Sequence, residues 1–173
     1  MATTQKRSRG SGSVGLDSFD PIRQVLWSRP GYLVRRLNQI HYALFSEACK
    51  LHNITPVQFG VLTALSIKPL LDQTEIGSEL GLDRTTTAQV LKRLEEKKLI
   101  ARRPHPSDRR SRQSMITEEG IRAMGLLHQG MVEAQRRLLA PLTAKQQETF
   151  IHLLTELVDG NNDYSRAPAR SSL

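Results

Sequence analysis

Residues 80–98 read LGLDRTTTAQVLKRLEEKK, and this stretch decides the fold. Gly81 predicts the end of a short helix that Thr74 is expected to cap, because glycine readily adopts the left-handed conformation that closes a helix. Asp83 predicts the N-cap of a second helix over residues 84–98, because its carboxylate can accept hydrogen bonds from the N–H groups of a first turn. Two helices joined this tightly are typical of a helix-turn-helix.

The second of these helices has two unlike sides when its residues are placed at 100° intervals. The apolar side is expected to face the core, and it carries Thr87, Val90, Leu91 and Leu94. The opposite side and the first turn carry the residues that are expected to contact DNA, which are Arg84, Thr85, Thr86, Gln89, Lys92 and Arg93.

These polar residues differ in the contact that their chemistry suits. A recognition helix meets base edges with its N-terminal half. The Gln89 amide can pair with an adenine edge, and the methyl group of Thr85 or Thr86 can contact that of thymine. Lys92 and Arg93 lie further along and are expected to bind phosphate. For the two threonines, capping of the first helical turn is an alternative interpretation.

A β-hairpin is predicted after this helix, because two short β-like segments flank a basic, turn-rich loop at residues 104–112. Such a hairpin would form the wing of a winged helix. Arg109 and Arg110 are long enough to enter a minor groove, where the negative potential attracts arginine, and Arg112 is a further candidate. Asp108 is expected to hold a wing arginine by a charge-assisted hydrogen bond. The alternative is a solvated loop without a role in DNA binding.

The charge of the chain is concentrated in the same region. The net charge is +8 and the pI is about 10.1, which favours a polyanionic partner, either nucleic acid or an anionic membrane surface. Residues 84–112 contain ten Lys and Arg and three acidic residues, so they carry +7. Because this charge lies on a helix-turn-helix and not on an amphipathic helix with exposed aromatic residues, double-stranded DNA is favoured over a membrane. A plain basic surface is the alternative.

Long helices are predicted on both sides of this region. Pro30-Gly31 opens a helix that extends to about residue 51, and its apolar band is too wide for a helix that packs on one neighbour. Thr55-Pro56 begins a second helix. Thr117 caps a long helix, and Thr143 with Gln146 forms a capping box before the last one. The order α-α-α-α-β-β-α-α predicts a mainly α fold, a winged helix-turn-helix held between long terminal helices.

The chain is expected to form one domain with two tails. Residues 1–21 are predicted to be a disordered basic tail and residues 161–173 a second disordered tail. The domain spans 22–160. Its dimerisation helices are predicted at 29–52 and 117–159, and its DNA-binding lobe is predicted at 55–116.

Several other kinds of protein and site are disfavoured. The N-terminus is basic but lacks the apolar stretch of a signal peptide, and no run is long enough to span a bilayer, which predicts a cytoplasmic protein. The sequence shows no nucleophile elbow or phosphate loop, so no enzyme activity and no cofactor are expected. The five histidines lack metal-ligand spacing. For the single cysteine, Cys49, inert packing is favoured over redox sensing.

Three stretches together resemble the MarR family of transcriptional regulators. They are ITPVQFGVLTAL (54–65), LDQTEIGSELGLDRTTTAQVLKRLEEKKLIARR (71–103) and PSDRRSRQSMITEEG (106–120), and the D-x-R element of the family falls on Asp108 and Arg110. The resemblance implies a triangular homodimer whose first and last helices form the dimer interface. It also implies a palindromic operator and, in most members, a repressor that a small ligand releases.

The segment RPGYLVRRLNQIHYALF (29–45) is similar to the first helix of MarR regulators that control aromatic and heteroaromatic acid catabolism, including the protocatechuate- and hydroxynicotinate-responsive types. That resemblance implies that Arg35 anchors a ligand carboxylate and that His41 lines the pocket. Tyr42 or Phe45 could supply an apolar wall. The implied ligand is a small aromatic carboxylate such as a hydroxylated benzoate or nicotinate. A surface salt bridge for Arg35, a core position for His41, and a constitutive DNA-binding protein without an effector are the alternatives.

Overall fold

The computed structural model describes residues 26–50, 53–108 and 110–170. The helices are α1 (Pro30–Ala48), α2 (Pro56–Ile67), α3 (Gln73–Leu80), α4 (Arg84–Glu96), α5 (Glu118–Leu139) and α6 (Ala144–Gly160), and the strands are β1 (Leu71–Asp72), β2 (Ile100–Pro104) and β3 (Arg112–Ile116). Two compact units are present, with their boundary between Asn38 and Gln39. The predicted mainly α winged helix-turn-helix is confirmed.

The helix-turn-helix consists of α3 and α4. Gly81 has a φ of 62° and closes α3, as the sequence predicts. Asp83 caps α4, because its carboxylate accepts a hydrogen bond from the Thr86 N–H at 2.8 Å. The predicted cap of α3 was wrong by two residues. Asp72 and not Thr74 is the N-cap, and it accepts from the Thr74 and Glu75 amides at 2.8 and 2.9 Å.

The wing is part of a three-stranded antiparallel sheet in the order β1-β3-β2. β2 and β3 form the predicted hairpin, with Ile100 opposite Ile116 and Pro104 opposite Arg112. The strand β1 was not predicted from the sequence; it is only two residues long and pairs with β3. This third strand ties the beginning of α3 to the wing.

The core lies beneath α4, and the predicted apolar side of that helix is confirmed. Thr87, Val90, Leu91 and Leu94 are all buried. The Thr87 hydroxyl donates to the Asp83 carbonyl oxygen at 2.8 Å, so this polar group is satisfied inside the core. Outside α4, the described side chains that are almost completely buried include Val61, Leu62, Leu65, Ile76, Leu127, Cys49 and Ser114. The helix that reads DNA in a winged helix is therefore fixed along its inner side.

The long helices bury little of their apolar surface within one chain. In α1, Phe45 is buried, as is Cys49 just after the helix ends, whereas Leu33 and Ile40 of its apolar band are 51% and 45% exposed. In α5 the buried residues are Gly120, Ala123, Leu127 and Ala134, whereas Ile121, Leu126 and Val132 are exposed. No residue of α6 is buried, and its exposed apolar residues are Ile151, Leu153, Leu157 and Val158. Within this chain these faces are uncovered.

The C-terminal end differs from its predicted disorder. Residues Asn162–Tyr164 form a 3-10 helix. The Asn162 side chain then donates to the Ala169 carbonyl oxygen at 2.8 Å and accepts from the Ala169 N–H at 2.9 Å. These bonds close a short loop that local composition did not predict. The predicted basic tail at 1–21 lies outside the described residues. Among the helices that the structure describes, none is both long and apolar enough to cross a bilayer.

Candidate nucleic-acid interface

The outer side of α4 presents polar and charged side chains to solvent. Arg84, Thr85, Gln89, Lys92 and Arg93 are all exposed. Lys92 lies 3.9 Å from Glu96, a surface ion pair that solvent weakens to a small energy. Because the opposite side of the helix is buried, these side chains point away from a fixed support and can meet another molecule.

Thr86 is only partly exposed, and its hydroxyl is already engaged. It donates to the Asp83 carboxylate at 2.7 Å, while the Thr86 N–H donates to the same carboxylate at 2.8 Å. These bonds favour ionised Asp83 and hold the pKa of that carboxyl below its ordinary value of 3.8. The hydroxyl geometry therefore supports the capping interpretation for Thr86. Thr85 makes no such bond to Asp83 with its side chain among the described contacts and stays exposed.

The tip of the wing is ordered by backbone hydrogen bonds. The Asp108 carboxylate accepts from the backbone N–H of Arg110 at 2.9 Å. The Ser111 N–H donates to the Asp108 carbonyl oxygen at 3.0 Å. Asp108 was expected to hold an arginine side chain. Its carboxylate instead bonds to the main chain, because it reaches the amide two residues ahead in an Asx turn. Arg109 lies outside the described residues.

Arg112 braces the wing against α4. Its guanidinium donates to the Arg102 carbonyl oxygen at 3.0 Å and lies 3.6 Å from the Glu95 carboxylate. Half of its side chain is still exposed, at 50%. Arg112 thus has a positioning role in addition to the DNA contact expected from the sequence. Arg110 is exposed at the tip, where the Asx turn fixes its backbone.

A groove of about 660 Å³ separates the start of α4 from the wing. The arginines that line it are Arg84, Arg102, Arg110, Arg112 and Arg166. Three carboxylates also line it, those of Asp72, Asp83 and Asp108, and all three accept hydrogen bonds from backbone amides. The groove therefore contains more guanidinium groups than carboxylates, and each carboxylate is already hydrogen-bonded to the protein backbone. Such a surface suits a phosphate backbone.

Two arginines of the groove, Arg102 and Arg166, were not among the residues predicted to contact DNA. Arg102 is one of the basic residues of the wing. Its position in β2 between the exposed Ala101 and Arg103 is the one signal that its side chain points to the other face of the strand. Its Nε is buried and has no hydrogen-bond partner within the described part of the chain. Arg166 lies in a segment expected to be disordered, so no local signal indicated its place.

The residues expected to bind an effector have different surroundings. Arg35 is exposed, and its guanidinium carbon lies 5.3 Å from the centre of the Tyr32 ring, a cation–π distance. In the second unit, His41 is half-buried, with its ring centre 5.9 Å from that of Tyr42 and 6.3 Å from that of Phe45. Tyr42 is 40% exposed.

Phe45 does not form the open wall that the sequence analysis allowed. It is 2% exposed and packs edge-on to Phe59, with ring centres 6.4 Å apart. Burial in the core explains this position, because an aromatic side chain of this size is most stable when removed from water. His41 and Tyr42 remain the accessible candidates on this part of α1.

Cys49 is buried, and burial raises the pKa of its thiol. A raised pKa disfavours the thiolate, which is the reactive form. The structure thus agrees with the packing interpretation. Among residues 26–50, 53–108 and 110–170, no group of three His, Cys, Asp or Glu side chains is arranged to hold a metal ion.

Comparison with known proteins gives a family match. The family model described as MarR family matches residues 52–111, which include α2, the helix-turn-helix and most of the wing. A protein of Thauera aromatica, assigned as a transcriptional regulator of the hcr operon, is 31% identical over 60% of this chain. The chain spans 63% of the length of that relative.

Two solved structures are similar over most of their length. The PcaV transcriptional regulator of Streptomyces coelicolor, in complex with its natural ligand, is 36% identical, with a TM-score of 0.73 and coverage of 78% of this chain and 94% of PcaV. BpsR of Bordetella bronchiseptica, whose DNA binding is regulated by 6-hydroxynicotinic acid, is 25% identical, with a TM-score of 0.72 and coverage of 76% and 94%.

Proposed function

Because this chain belongs to the MarR family of transcriptional regulators, we propose that it is a homodimeric repressor that binds a palindromic DNA operator and is released by a small aromatic carboxylate. The observation that carries the DNA-binding part is the pairing of α4 with the wing. A helix fixed along its inner side presents polar residues outward beside an arginine-lined groove.

The reading of DNA divides between two kinds of contact. Gln89 lies exposed on α4 and has the amide geometry to pair with adenine, while Thr85 offers a methyl group near the N-terminus. Arg84, Lys92 and Arg93 are suited to phosphate. Arg110 at the wing tip is suited to a minor groove. Phosphate contacts set the register, and base contacts supply the discrimination.

The homodimer is supported by the apolar surface of the long helices. α6 has no buried residue, although it carries large apolar side chains; Leu153 and Leu157, for example, are 51% and 60% exposed. Large contiguous apolar surfaces are uncommon on monomers and mark interfaces. A two-fold dimer that reads one face of DNA places its recognition helices about 34 Å apart, one helical turn.

The effector proposal rests on the first helix and on the relatives. A guanidinium fork binds both oxygens of a carboxylate, and Arg35 presents such a fork in the unit that ends at Asn38. His41 and Tyr42 offer a titratable ring and an aromatic surface in the other unit. The hydroxynicotinate response of BpsR and the liganded form of PcaV favour a hydroxylated aromatic acid. The ligand releases DNA only if it favours the conformer that does not fit the operator.

Two linked experiments test the two parts of this proposal. DNase footprinting on the DNA that flanks the gene is expected to show a protected inverted repeat, one dimer per repeat. A thermal-shift screen then identifies which hydroxylated benzoates or nicotinates bind the protein. The footprint is repeated in the presence of each acid that binds, and such an acid is expected to weaken the protection of the duplex. Protection of a site without an inverted repeat would contradict the dimer, and a footprint that no acid changes would favour the constitutive alternative.

A further inference from the structure

The C-terminal segment, residues 165–170, packs on the helix-turn-helix. The backbone N–H of Arg170 donates to the Ser78 carbonyl oxygen of α3 at 2.7 Å. A Cβ added to Gly81 would lie 3.4 Å from the Ala167 carbonyl oxygen and 3.5 Å from the Ala169 Cβ. The segment thus lies beside the turn that joins α3 to α4, close enough that a side-chain carbon at Gly81 would touch it, at the edge of the proposed DNA surface.

The conformation of this segment is set by its own side chains. Asn162 binds both backbone groups of Ala169, with distances of 2.8 and 2.9 Å. The Ser165 hydroxyl donates to the Ala167 carbonyl oxygen at 3.0 Å and accepts from the Ala167 N–H at 3.2 Å. Four side chain–backbone hydrogen bonds within eight residues hold the loop in one shape. The backbone at Arg166, between these bonds, is thereby held beside the start of α4, and its side chain is exposed.

Arg166 lines the same groove as Arg84 of α4 and Arg110 of the wing. Its positive charge also contributes, after the hydrogen bonds from Thr86, to the lowered pKa of Asp83, which caps α4. The segment therefore brings a cation to the N-terminal end of the recognition helix. Arg102, across the groove, has a buried Nε without a hydrogen-bond partner among the described residues.

We propose that the C-terminal segment is a third DNA-contact element, which carries Arg166 to the phosphate backbone beside the recognition helix and the wing. This inference rests on the proposed DNA-binding function and adds to it a contact from outside the winged helix. Its position at the start of α4 assigns it to the phosphates that flank the bases read by that helix.

The sign of the charge decides between a contact element and an autoinhibitory one. A segment that blocks a DNA surface by occupying it is expected to imitate DNA and to be acidic. Residues 161–170 contain two arginines, Arg166 and Arg170, against one acidic residue, Asp163. A cationic segment raises the positive potential of the groove and attracts a polyanion. The charge therefore favours cooperation with DNA over competition.

The test measures the salt dependence of DNA binding with the full chain. Binding to a mixed-sequence duplex of about three helical turns is followed by fluorescence anisotropy at several salt concentrations. Each phosphate contact contributes about one unit to the slope of log K against log salt concentration. Arg166→Ala is expected to reduce the slope by about one unit per protomer bound and to weaken binding at low salt.

Two matched variants control for general effects of charge. Lys145→Ala removes one positive charge from the exposed surface of α6, away from the groove, and is expected to leave the slope unchanged. Arg166→Lys retains the charge and is expected to retain most of the slope. A chain ending at Gly160 is expected to match or exceed the loss in Arg166→Ala, with its melting temperature measured alongside to separate loss of contact from loss of fold.

Four results would overturn the inference. An unchanged slope in Arg166→Ala would remove the phosphate contact, and tighter binding by the shortened chain would identify the segment as autoinhibitory. An equal reduction of the salt slope in Lys145→Ala would show that the net charge of the protein, and not a contact of Arg166, causes the change. Failure of the full chain itself to bind the duplex in a salt-dependent way would contradict the proposed function and with it the inference.

Discussion

The Asp108 carboxylate accepts a hydrogen bond from the backbone N–H of Arg110 at 2.9 Å, and this contact shapes the tip of the wing together with the bond from the Ser111 N–H to the Asp108 carbonyl oxygen. It fixes the main chain of Arg110, while the arginine side chain stays exposed. An acidic residue inside the loop that we propose to contact DNA would otherwise repel phosphate. Here the Asp108 carboxylate is hydrogen-bonded to the Arg110 amide, and this bond helps to shape the loop.

Loss of this carboxylate is expected to weaken DNA binding through the shape of the loop. Asp108→Ala removes the acceptor and is expected to cost about 1 kcal/mol of binding free energy, the usual worth of one hydrogen bond. Asp108→Asn retains an acceptor and is the control, expected to bind nearly as the parent does. Arg110→Ala is expected to lose at least as much affinity without a change in melting temperature. Operator titration by anisotropy measures all three, and a large fall in the melting temperature of Arg110→Ala would make Arg110 structural.

Gln89 and Arg93 are expected to differ in the kind of affinity that they supply. Gln89→Ala is expected to reduce discrimination at one base position by about 1–3 kcal/mol, because an amide reads a base edge. Arg93→Ala is expected to weaken operator and random DNA alike and to lower the salt slope by about one unit. Titrations on an operator and on its single-base variants measure both. An equal loss on all sequences in Gln89→Ala would exclude base reading.

Gly120 is expected to be a position that tolerates no side chain. A Cβ there would lie well under 3.0 Å from the Leu99 carbonyl oxygen and from Ile116, in the tight contact between α5 and the wing strands. Gly120→Ala is expected to destabilise the fold by about 1–3 kcal/mol, the usual cost of overpacking. Gly125→Ala, on the same helix with no heavy atom within 4 Å, is the control and is expected to be neutral or stabilising. Urea unfolding of both variants distinguishes them.

Asp83 is expected to make stability depend on pH in the acid range. Its pKa is lowered in the folded chain by hydrogen bonds from Thr86, so the ionised carboxylate favours the fold. That contribution is complete above the ordinary value of 3.8 and is lost as the pH falls through the lower folded value. Asp83→Asn keeps a capping oxygen but does not titrate. The difference in melting temperature between parent and variant is expected to shrink below that pH, and a constant difference would exclude the carboxylate.

Arg35 is expected to separate ligand response from DNA binding. Arg35→Ala is expected to bind the operator normally and to lose the response to an aromatic acid, because charge-assisted hydrogen bonds to the carboxylate contribute about 1.5–3 kcal/mol. Arg36→Ala, which removes a neighbouring charge on the same helix, is the control. Isothermal titration with the acid identified in the screen measures the effect. An unchanged response in Arg35→Ala would place the anchor elsewhere.

The parts of this protein that the sequence alone determined are those whose signals are local. Gly81 ends one helix and Asp83 begins the next because a left-handed residue and a side-chain acceptor act within a few residues. The same holds for the helix start at Thr55-Pro56 and for the capping box at Thr143. The buried side of α4 could be predicted from the helical spacing of its apolar residues, because the core covers one side of that helix only.

Only the tertiary structure decided the features that depend on distant residues. Asp72, which also belongs to a strand paired with β3, caps α3 in place of Thr74, and Phe45 packs into the core against Phe59. The C-terminal segment acquires its place by hydrogen bonding to Ser78, far along the chain. Local pattern gives a residue's preference within one element. Which of two competing caps or faces is used depends on the neighbour that supplies the contact, and that neighbour is brought close only by folding.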